Sequence, residues 1–67
     1  MRVYKLRTAA FTYLDGTIRL TGEVESSLTD RWAVGNIVRT SALKSIDFER
    51  KFAVTQNSVY HFETFIH

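Results

Sequence analysis

The fold is decided by residues 2–25, RVYKLRTAAFTYLDGTIRLTGEVE, in which the pair Asp15-Gly16 separates two β-like runs. Asp-Gly between such runs is the strongest short-range signal for a β-hairpin, because a type I′ turn requires positive φ at both central residues. The second run alternates apolar and polar residues with a period of two, as a half-buried strand does. The stretch therefore predicts a hairpin of two long strands.

A bend is predicted in each of these strands. In the first strand no single face is apolar from end to end, because Leu6 lies at an even position and Phe11 at an odd one. A bend near Ala9-Ala10 would turn both side chains inward, as strands do at the corners of small barrels. In the second strand, Gly22 stands where a core side chain would otherwise point, which is typical of a bulge or bend.

Three further β segments are predicted beyond the hairpin. An extended segment covers residues 36–48, a strand follows at 52–54, and the last strand runs over 59–66. A polar turn at 56–58 precedes this last strand, and Asn57 is expected to take the left-handed conformation that a tight turn needs. Residues 28–32 are predicted to form at most one short helical turn. The fold class is therefore all-β, a small five-stranded antiparallel barrel that is SH3-like or OB-like, because closure removes exposed edges. An open curled sheet is the alternative.

Size and composition limit how such a chain is stabilised. It has 67 residues and is predicted to be one domain, residues 1–67, a size at which a single core barely offsets the chain entropy. It contains no cysteine and only two histidines, His61 and His67, so disulfides and a zinc site are not expected. Self-association would add burial. Because a terminal strand is commonly a sheet edge that can pair with its symmetry mate, a homodimer is predicted through the C-terminal strand, including Phe65, together with Trp32.

No membrane or targeting segment is predicted. Lys5 and Arg7 interrupt any apolar stretch near the N-terminus, so a signal peptide is not expected. No stretch approaches the roughly 20 apolar residues of a transmembrane helix. The lack of cysteine fits a reducing compartment, and a cytoplasmic location is predicted.

No catalytic or metal-binding constellation is recognised in the sequence. A nucleophile needs a base and an orienting group. The two histidines, one in a predicted strand and one at the C-terminal end, do not form such a set with other residues. The carboxylate pairs are Glu23 with Glu25 and Asp47 with Glu49. Solvated sheet faces explain them better than a Ca²⁺ site, which needs about six to eight oxygen ligands. The chain is predicted to be non-enzymatic, with no catalytic residue, cofactor or metal.

The N-terminal strand carries the features expected of a nucleic-acid site. Net charge is only +2, which neither requires nor excludes an anionic partner. Lys5 and Arg7 alternate with Phe11 and Tyr13 on one strand face, and Arg2 precedes them. Barrels bind single-stranded nucleic acid with such basic and aromatic side chains. The alternative is that the two aromatic residues belong to the core after the bend.

Arg31 and Trp32 are the candidate residues for binding a protein, because Arg and Trp are common interface hot spots. The alternative, which the loop position favours, is that Trp32 covers one end of the barrel. Phe65 is a third candidate contact. The alternation of the last strand places it on the face opposite to three other apolar residues, Tyr60, Phe62 and Ile66. The polar pairs Thr40-Ser41 and Asn57-Ser58 are expected to satisfy local backbone groups.

A series of short motifs runs through residues 22–62. The motifs are Arg31-Trp32 ahead of Gly35-Asn36, then Val38-Arg39-Thr40-Ser41, Ser45-Ile46-Asp47 and Val54-Thr55-Gln56-Asn57-Ser58-Val59-Tyr60. Their order, with Thr-Ser, Ile-Asp and a closing Thr-x-Asn-Ser-x-Tyr hairpin, resembles a group of short hypothetical proteins of phages and prophages. Two features depart from that group's pattern, the segment Ala33-Val34-Gly35-Asn36 in place of an acidic-Gly turn and the added N-terminal hairpin.

The resemblance implies a small all-β protein of phage or prophage origin, and it carries no assigned activity. With the lack of a catalytic constellation, it leads to the hypothesis of a non-enzymatic interaction module in the cytoplasm of a host bacterial cell. The expected partner is an unidentified host or phage protein, which the module would inhibit or regulate. A small nucleic-acid-binding barrel that uses the N-terminal strand is the alternative hypothesis.

Overall fold

Six β-strands and no helix form within the part of the chain that the computed structural model describes, residues 2–27 and 34–66, with side chains for 2–25 and 34–66. The strands are β1 (Arg2–Leu14), β2 (Thr17–Ser27), β3 (Ile37–Arg39), β4 (Ser45–Asp47), β5 (Phe52–Val54) and β6 (Ser58–Ile66). They form one sheet in the order β3-β2-β1-β6-β5-β4. The all-β prediction is confirmed, and the helical turn predicted over 28–32 lies outside the described residues.

The first hairpin forms as predicted. Asp15 has a φ of 52° and Gly16 a φ of 74°, which are the two positive values that a type I′ turn requires. From the pair Leu14 and Thr17, β1 and β2 run antiparallel along nearly their whole lengths. This hairpin supplies the two longest strands of the sheet.

The predicted bend of β1 is also present, just ahead of Ala9. The register between β1 and β2 shifts between Leu6 and Ala9. Both residues are buried, and Phe11 packs against the core. The even-numbered residues of β1 therefore face the core before the bend, and the odd-numbered residues face it after the bend. Gly22 is the register partner of Ala9, and a Cβ at Gly22 would lie 2.2 Å from the carbonyl oxygen of Thr8. The missing side chain therefore allows β1 to approach β2 closely at the bend.

The last strand lies in the middle of the sheet, which corrects the prediction of an antiparallel edge strand. β6 pairs with β1 in parallel, in constant register from Arg2 opposite Ser58 to Ala10 opposite Ile66. On its other side β6 pairs antiparallel with β5. Because β6 carries large apolar side chains, a position between two strands buries more of them than an edge does.

The two faces of β6 also differ from the prediction near its end. Tyr60 and Phe62 are buried as expected. Phe65, however, packs against Phe62 with ring centroids 5.5 Å apart, and Ile66 is 57% exposed. The faces predicted for Phe65 and Ile66 are therefore exchanged. The cause is the bend of β1: β6 follows it in constant register, and Phe65 is the partner of Ala9.

The extended segment predicted over residues 36–48 is two strands at opposite edges of the sheet. Residues 40–44 cross between them. The Thr40 N–H donates to the β2 carbonyl of Leu20 at 2.8 Å, and the Lys44 N–H donates to a β5 carbonyl, also at 2.8 Å. The described residues thus form six strands instead of five, because a period-two pattern predicts extended backbone without showing where the backbone changes partner.

The sheet is strongly curled but not closed. The crossing segment, residues 40–44, joins the edge strands β3 and β4, so these edges lie within about 20 Å of each other. They do not pair with each other. The described residues therefore form the open curled sheet that was the alternative, and a closed barrel is not confirmed. The inner face holds the core, Tyr4, Leu6, Ala9, Leu20, Val24, Ala53, Tyr60 and Phe62.

The polar turn between β5 and β6 is confirmed in position. The Thr55 N–H donates to the Ser58 carbonyl at 2.9 Å, which closes the turn. Asn57 is not among the residues with positive φ, whereas Lys51, in the turn between β4 and β5, has a φ of 60°. The left-handed residue expected near the C-terminal hairpin therefore lies one turn earlier in the chain.

Candidate functional site

A groove of about 430 Å³ opens beside the C-terminal half of β6. We call it the aromatic groove; it is lined by Phe48, Lys51, Phe62, Glu63, Thr64 and Phe65. Three of the six lining residues are aromatic, and one cation and one anion stand among the others. An apolar surface with a few charged groups is the usual lining of a binding site.

The aromatic rings of the groove pack closely on one another. The Phe65 ring centroid lies 4.9 Å from that of Phe11, 5.0 Å from that of Phe48 and 5.5 Å from that of Phe62. The first two pairs are edge-to-face, an arrangement that aromatic pairs prefer. Phe62 is buried, whereas Phe48 is 46% exposed. The cluster therefore extends from the core to the surface, and Phe48 is its solvent end.

The turn between β4 and β5 holds Phe48 in place. The Asp47 carboxylate accepts the Arg50 N–H at 2.9 Å within this turn. The Phe62 N–H of β6 donates to the Lys51 carbonyl at 3.0 Å. Both ends of the turn are thus hydrogen-bonded, and Phe48 is presented at a defined place beside β6.

Of the residues predicted to contact a protein, the structure places Phe65 in this groove. Arg31 and Trp32 lie outside the described residues. Phe48 was not predicted as a site residue, because it ends an alternating segment and could equally be core. The charged run that begins at Glu49 was the available signal, since it places Phe48 beside a surface turn.

Two of the three basic residues of β1, Lys5 and Arg7, are paired with carboxylates. Lys5 Nζ lies 3.6 Å from a carboxylate oxygen of Glu25 and 3.6 Å from one of Glu63. An Arg7 guanidinium nitrogen lies 3.5 Å from a Glu23 carboxylate oxygen. These exposed ion pairs contribute little stability, but they balance the positive charge that a phosphate backbone would need. They also account for the carboxylate pair of β2.

The five residues predicted to bind nucleic acid do not share one face. Lys5 and Arg7 are exposed, whereas Phe11 packs into the aromatic cluster. Tyr13 is 73% exposed near the hairpin turn, and Arg2 begins the strand at its other end. The bend in β1 is the cause, because it reverses which side of the sheet the odd positions occupy.

A second, polar cavity of about 230 Å³ lies between the crossing segment and the turn from β5 to β6. We call it the seam cleft; it is lined by Arg2, Arg39, Thr40, Ser41, Thr55, Asn57, Ser58 and Tyr60. Thr40 Oγ1 accepts the Leu20 N–H at 3.0 Å and donates to the Ser41 carbonyl at 2.8 Å. Local backbone bonding, the prediction for this threonine, is confirmed.

Comparisons with known proteins add no relative. No family model matches the chain, and no curated protein or solved structure matches it significantly. The resemblance to phage and prophage proteins thus stays a prediction from the motifs. Over residues 2–27 and 34–66, no helix is long and apolar enough to span a membrane, and no three potential metal ligands among His, Cys, Asp and Glu are grouped.

Proposed function

We propose that this protein is a non-enzymatic interaction module of phage or prophage origin that binds a host or phage protein and inhibits or regulates it in the cytoplasm of the bacterial host. The observation that supports binding is Phe48, an aromatic side chain left 46% exposed at the mouth of the aromatic groove. The phage origin rests on the motif resemblance. We also propose that the curled sheet is an open form of an SH3-like or OB-like barrel.

The aromatic groove suits an apolar segment of a partner protein. Full burial of a Phe side chain contributes about 1.5–3 kcal/mol relative to exposure. A partner that covers Phe48 would gain the share of this free energy that belongs to the exposed part of the ring. Phe62 and Phe65 form a packed floor, so the groove needs little reorganisation on binding. Lys51 lines the same groove, and its ammonium group can pair with a carboxylate that flanks the apolar segment.

Apolar surface continues beyond the groove. A smaller cavity of about 200 Å³ is lined mainly by apolar residues, among them Phe11, Ile18, Leu43 and Ile46. Phe11 connects the two surfaces, since its ring centroid lies 6.0 Å from that of Phe48 and 4.9 Å from that of Phe65, which both line the aromatic groove. A partner segment with two apolar side chains, one for each cavity, therefore matches this side of the molecule.

Nucleic-acid binding through the N-terminal strand has less support. Lys5 and Arg7 face carboxylates at 3.5–3.6 Å, and Phe11 is turned away from them into the aromatic cluster. A single-stranded nucleic-acid site needs free cations and open aromatic faces on the same surface. This alternative is therefore placed second.

Replacing Phe48 by serine is expected to weaken partner binding strongly without unfolding the protein. Purified wild-type protein, Phe48→Ser and the control Ile66→Ser serve as baits in a bacterial lysate, and the captured proteins are compared by quantitative mass spectrometry. Ile66 is a matched control, because it is exposed and apolar and does not line the groove. A hot-spot loss of about 2 kcal/mol corresponds to roughly thirtyfold weaker binding.

A protein recovered equally by wild type and Ile66→Ser, and depleted with Phe48→Ser, would support the proposal. A partner that binds Phe48→Ser as tightly as wild type would show that the groove is not its site. Recovery of no protein above background by the wild type would count against the binding function itself. Phe65→Ser is unsuitable for this purpose, since Phe65 packs on three other rings.

The predicted homodimer requires a different interface from the one expected. β6 is not an edge, whereas β3 is, and Val34 and Ile37 beside that edge are 67% and 68% exposed. We propose that β3 pairs with its symmetry mate, because an exposed apolar edge strand is a template for another chain. Light scattering at tens of micromolar should give about twice 7.8 kDa, and Ile37→Lys should give the monomer mass. A wild-type mass of one chain would exclude the dimer.

A further inference from the structure

The seam cleft combines positive charge with neutral hydrogen-bonding groups. Arg2 enters it from the start of β1 and Arg39 from the end of β3, and no Asp or Glu is among its lining residues. Among the described residues, neither guanidinium has a carboxylate within ion-pair distance, in contrast to Lys5 and Arg7. Two unneutralised cations that line one cavity favour an anion between them.

The backbone around the cleft is held in place without using the arginine side chains. The Arg2 N–H donates to the Asn57 carbonyl at 3.1 Å, which fixes the start of β1 against the turn from β5 to β6. Thr40 is only 2% exposed, and its hydroxyl bonds Leu20 and Ser41. The positions that flank Thr40 in sequence, 39 and 41, are therefore also fixed, and a preorganised site loses less free energy on binding.

Further donors stand beside the two guanidinium groups. Ser41, Asn57 and Ser58 line the cleft with two hydroxyl groups and one amide. A tetrahedral oxyanion accepts hydrogen bonds in several directions, and Arg binds phosphate bidentately. The cleft volume of about 230 Å³ leaves room for a small group attached to the anion.

We propose that the seam cleft binds a phosphate group, either free or carried by a small phosphomonoester, between Arg2 and Arg39. A nucleic-acid strand fits less well, because strand binding uses exposed aromatic faces. Tyr60, the aromatic residue that lines the cleft, is buried and stacks on Tyr4 at 5.2 Å. This site is separate from the aromatic groove, since the two cavities share no lining residue.

The test is a titration of ¹⁵N-labelled protein with inorganic phosphate and with glycerol phosphate at constant ionic strength, followed by two-dimensional NMR. Saturable shifts are expected at residues 39–41 and 55–58. Arg2→Gln or Arg39→Gln should each weaken binding at least about tenfold, because each removes charge-assisted hydrogen bonds. Arg50→Gln is the control: it removes the same charge from an exposed turn that does not line the cleft.

The proposal is supported if the shifts are confined to the cleft and lost only in the two cleft variants. Shifts that fail to saturate at tens of millimolar phosphate would overturn it, as would an Arg50→Gln variant that weakens binding equally. A parallel titration with a short single-stranded oligonucleotide distinguishes a site for a small phosphate compound from a site for the phosphates of a nucleic acid. Tighter oligonucleotide binding, with shifts that extend to Lys5 and Arg7, would replace the phosphate site by a nucleic-acid site. The native spectra of the variants establish that they are folded.

Discussion

Gly22→Ala is expected to lower the free energy of unfolding by about 3 kcal/mol, at the upper end of the usual effect of overpacking. The new Cβ would lie 2.2 Å from the Thr8 carbonyl oxygen and 3.0 Å from Leu6 Cδ1. The Thr8 oxygen belongs to the backbone of the neighbouring strand, so a change of side-chain rotamer cannot relieve the clash. A domain of this size has roughly 3–5 kcal/mol in total, so the variant should retain at most about 2 kcal/mol and unfold at a much lower urea concentration than the wild type.

Urea denaturation followed by circular dichroism measures this loss, with Gly16→Asn as the control. Gly16 has a φ of 74°, and a Cβ added there would meet nothing within 4 Å. Asn tolerates that left-handed backbone, so the control should lose less than about 1 kcal/mol. A Gly22→Ala variant as stable as the Gly16→Asn variant would show that β1 and β2 do not approach closely at the bend.

Phe62→Ala is expected to cost about 3–5 kcal/mol, which is the usual range for truncating a buried Phe. Phe62 is 4% exposed, and its ring lies 5.5 Å from that of Phe65 and 6.5 Å from that of Phe48. It also stands on β6, between β1 and β5. The cavity would open at the centre of the sheet, where the surrounding strands cannot easily collapse into it.

Phe48→Ala is the matched control, since it removes an equal side chain from the exposed end of the same cluster. Its cost should stay below about 1.5 kcal/mol, because Phe48 is already near solvent. Thermal melting of the two variants beside the wild type makes the comparison. Equal melting temperatures for the two variants would contradict a central position of β6.

The N-terminal hairpin could be predicted because its signals are local. Asp15-Gly16 specifies its turn through positive φ, and Gly22 marks the bend through its missing side chain. The change of parity between Leu6 and Phe11 predicts that β1 must turn, wherever its partners lie. Each of these arguments depends on one residue and its neighbours in the chain.

The candidate site was predictable only in part. Phe65 was chosen for its place on the last strand, and it does line the aromatic groove. Phe48 was missed, because the sequence around an apolar residue before a charged turn is the same whether that residue is in the core or lines a groove. Arg2 was grouped with Lys5 along β1, yet it lines the seam cleft together with Arg39, whereas Lys5 does not. Residues close together on one strand point to different surfaces when the strand bends, and the residues of one cavity come from segments that are distant in the sequence.

Local sequence signals were sufficient for the all-β class, the first hairpin, the bend in β1 and the position of the last turn. The parallel pairing of β1 with β6, the change of edge at residues 40–44, the aromatic groove and the seam cleft arise only when the whole sheet assembles. The physical reason is that alternation records which face of a strand is buried, and it is the same for a parallel or antiparallel neighbour. The choice of neighbour depends on how much apolar surface the whole sheet buries when it curls, a quantity that no single segment carries.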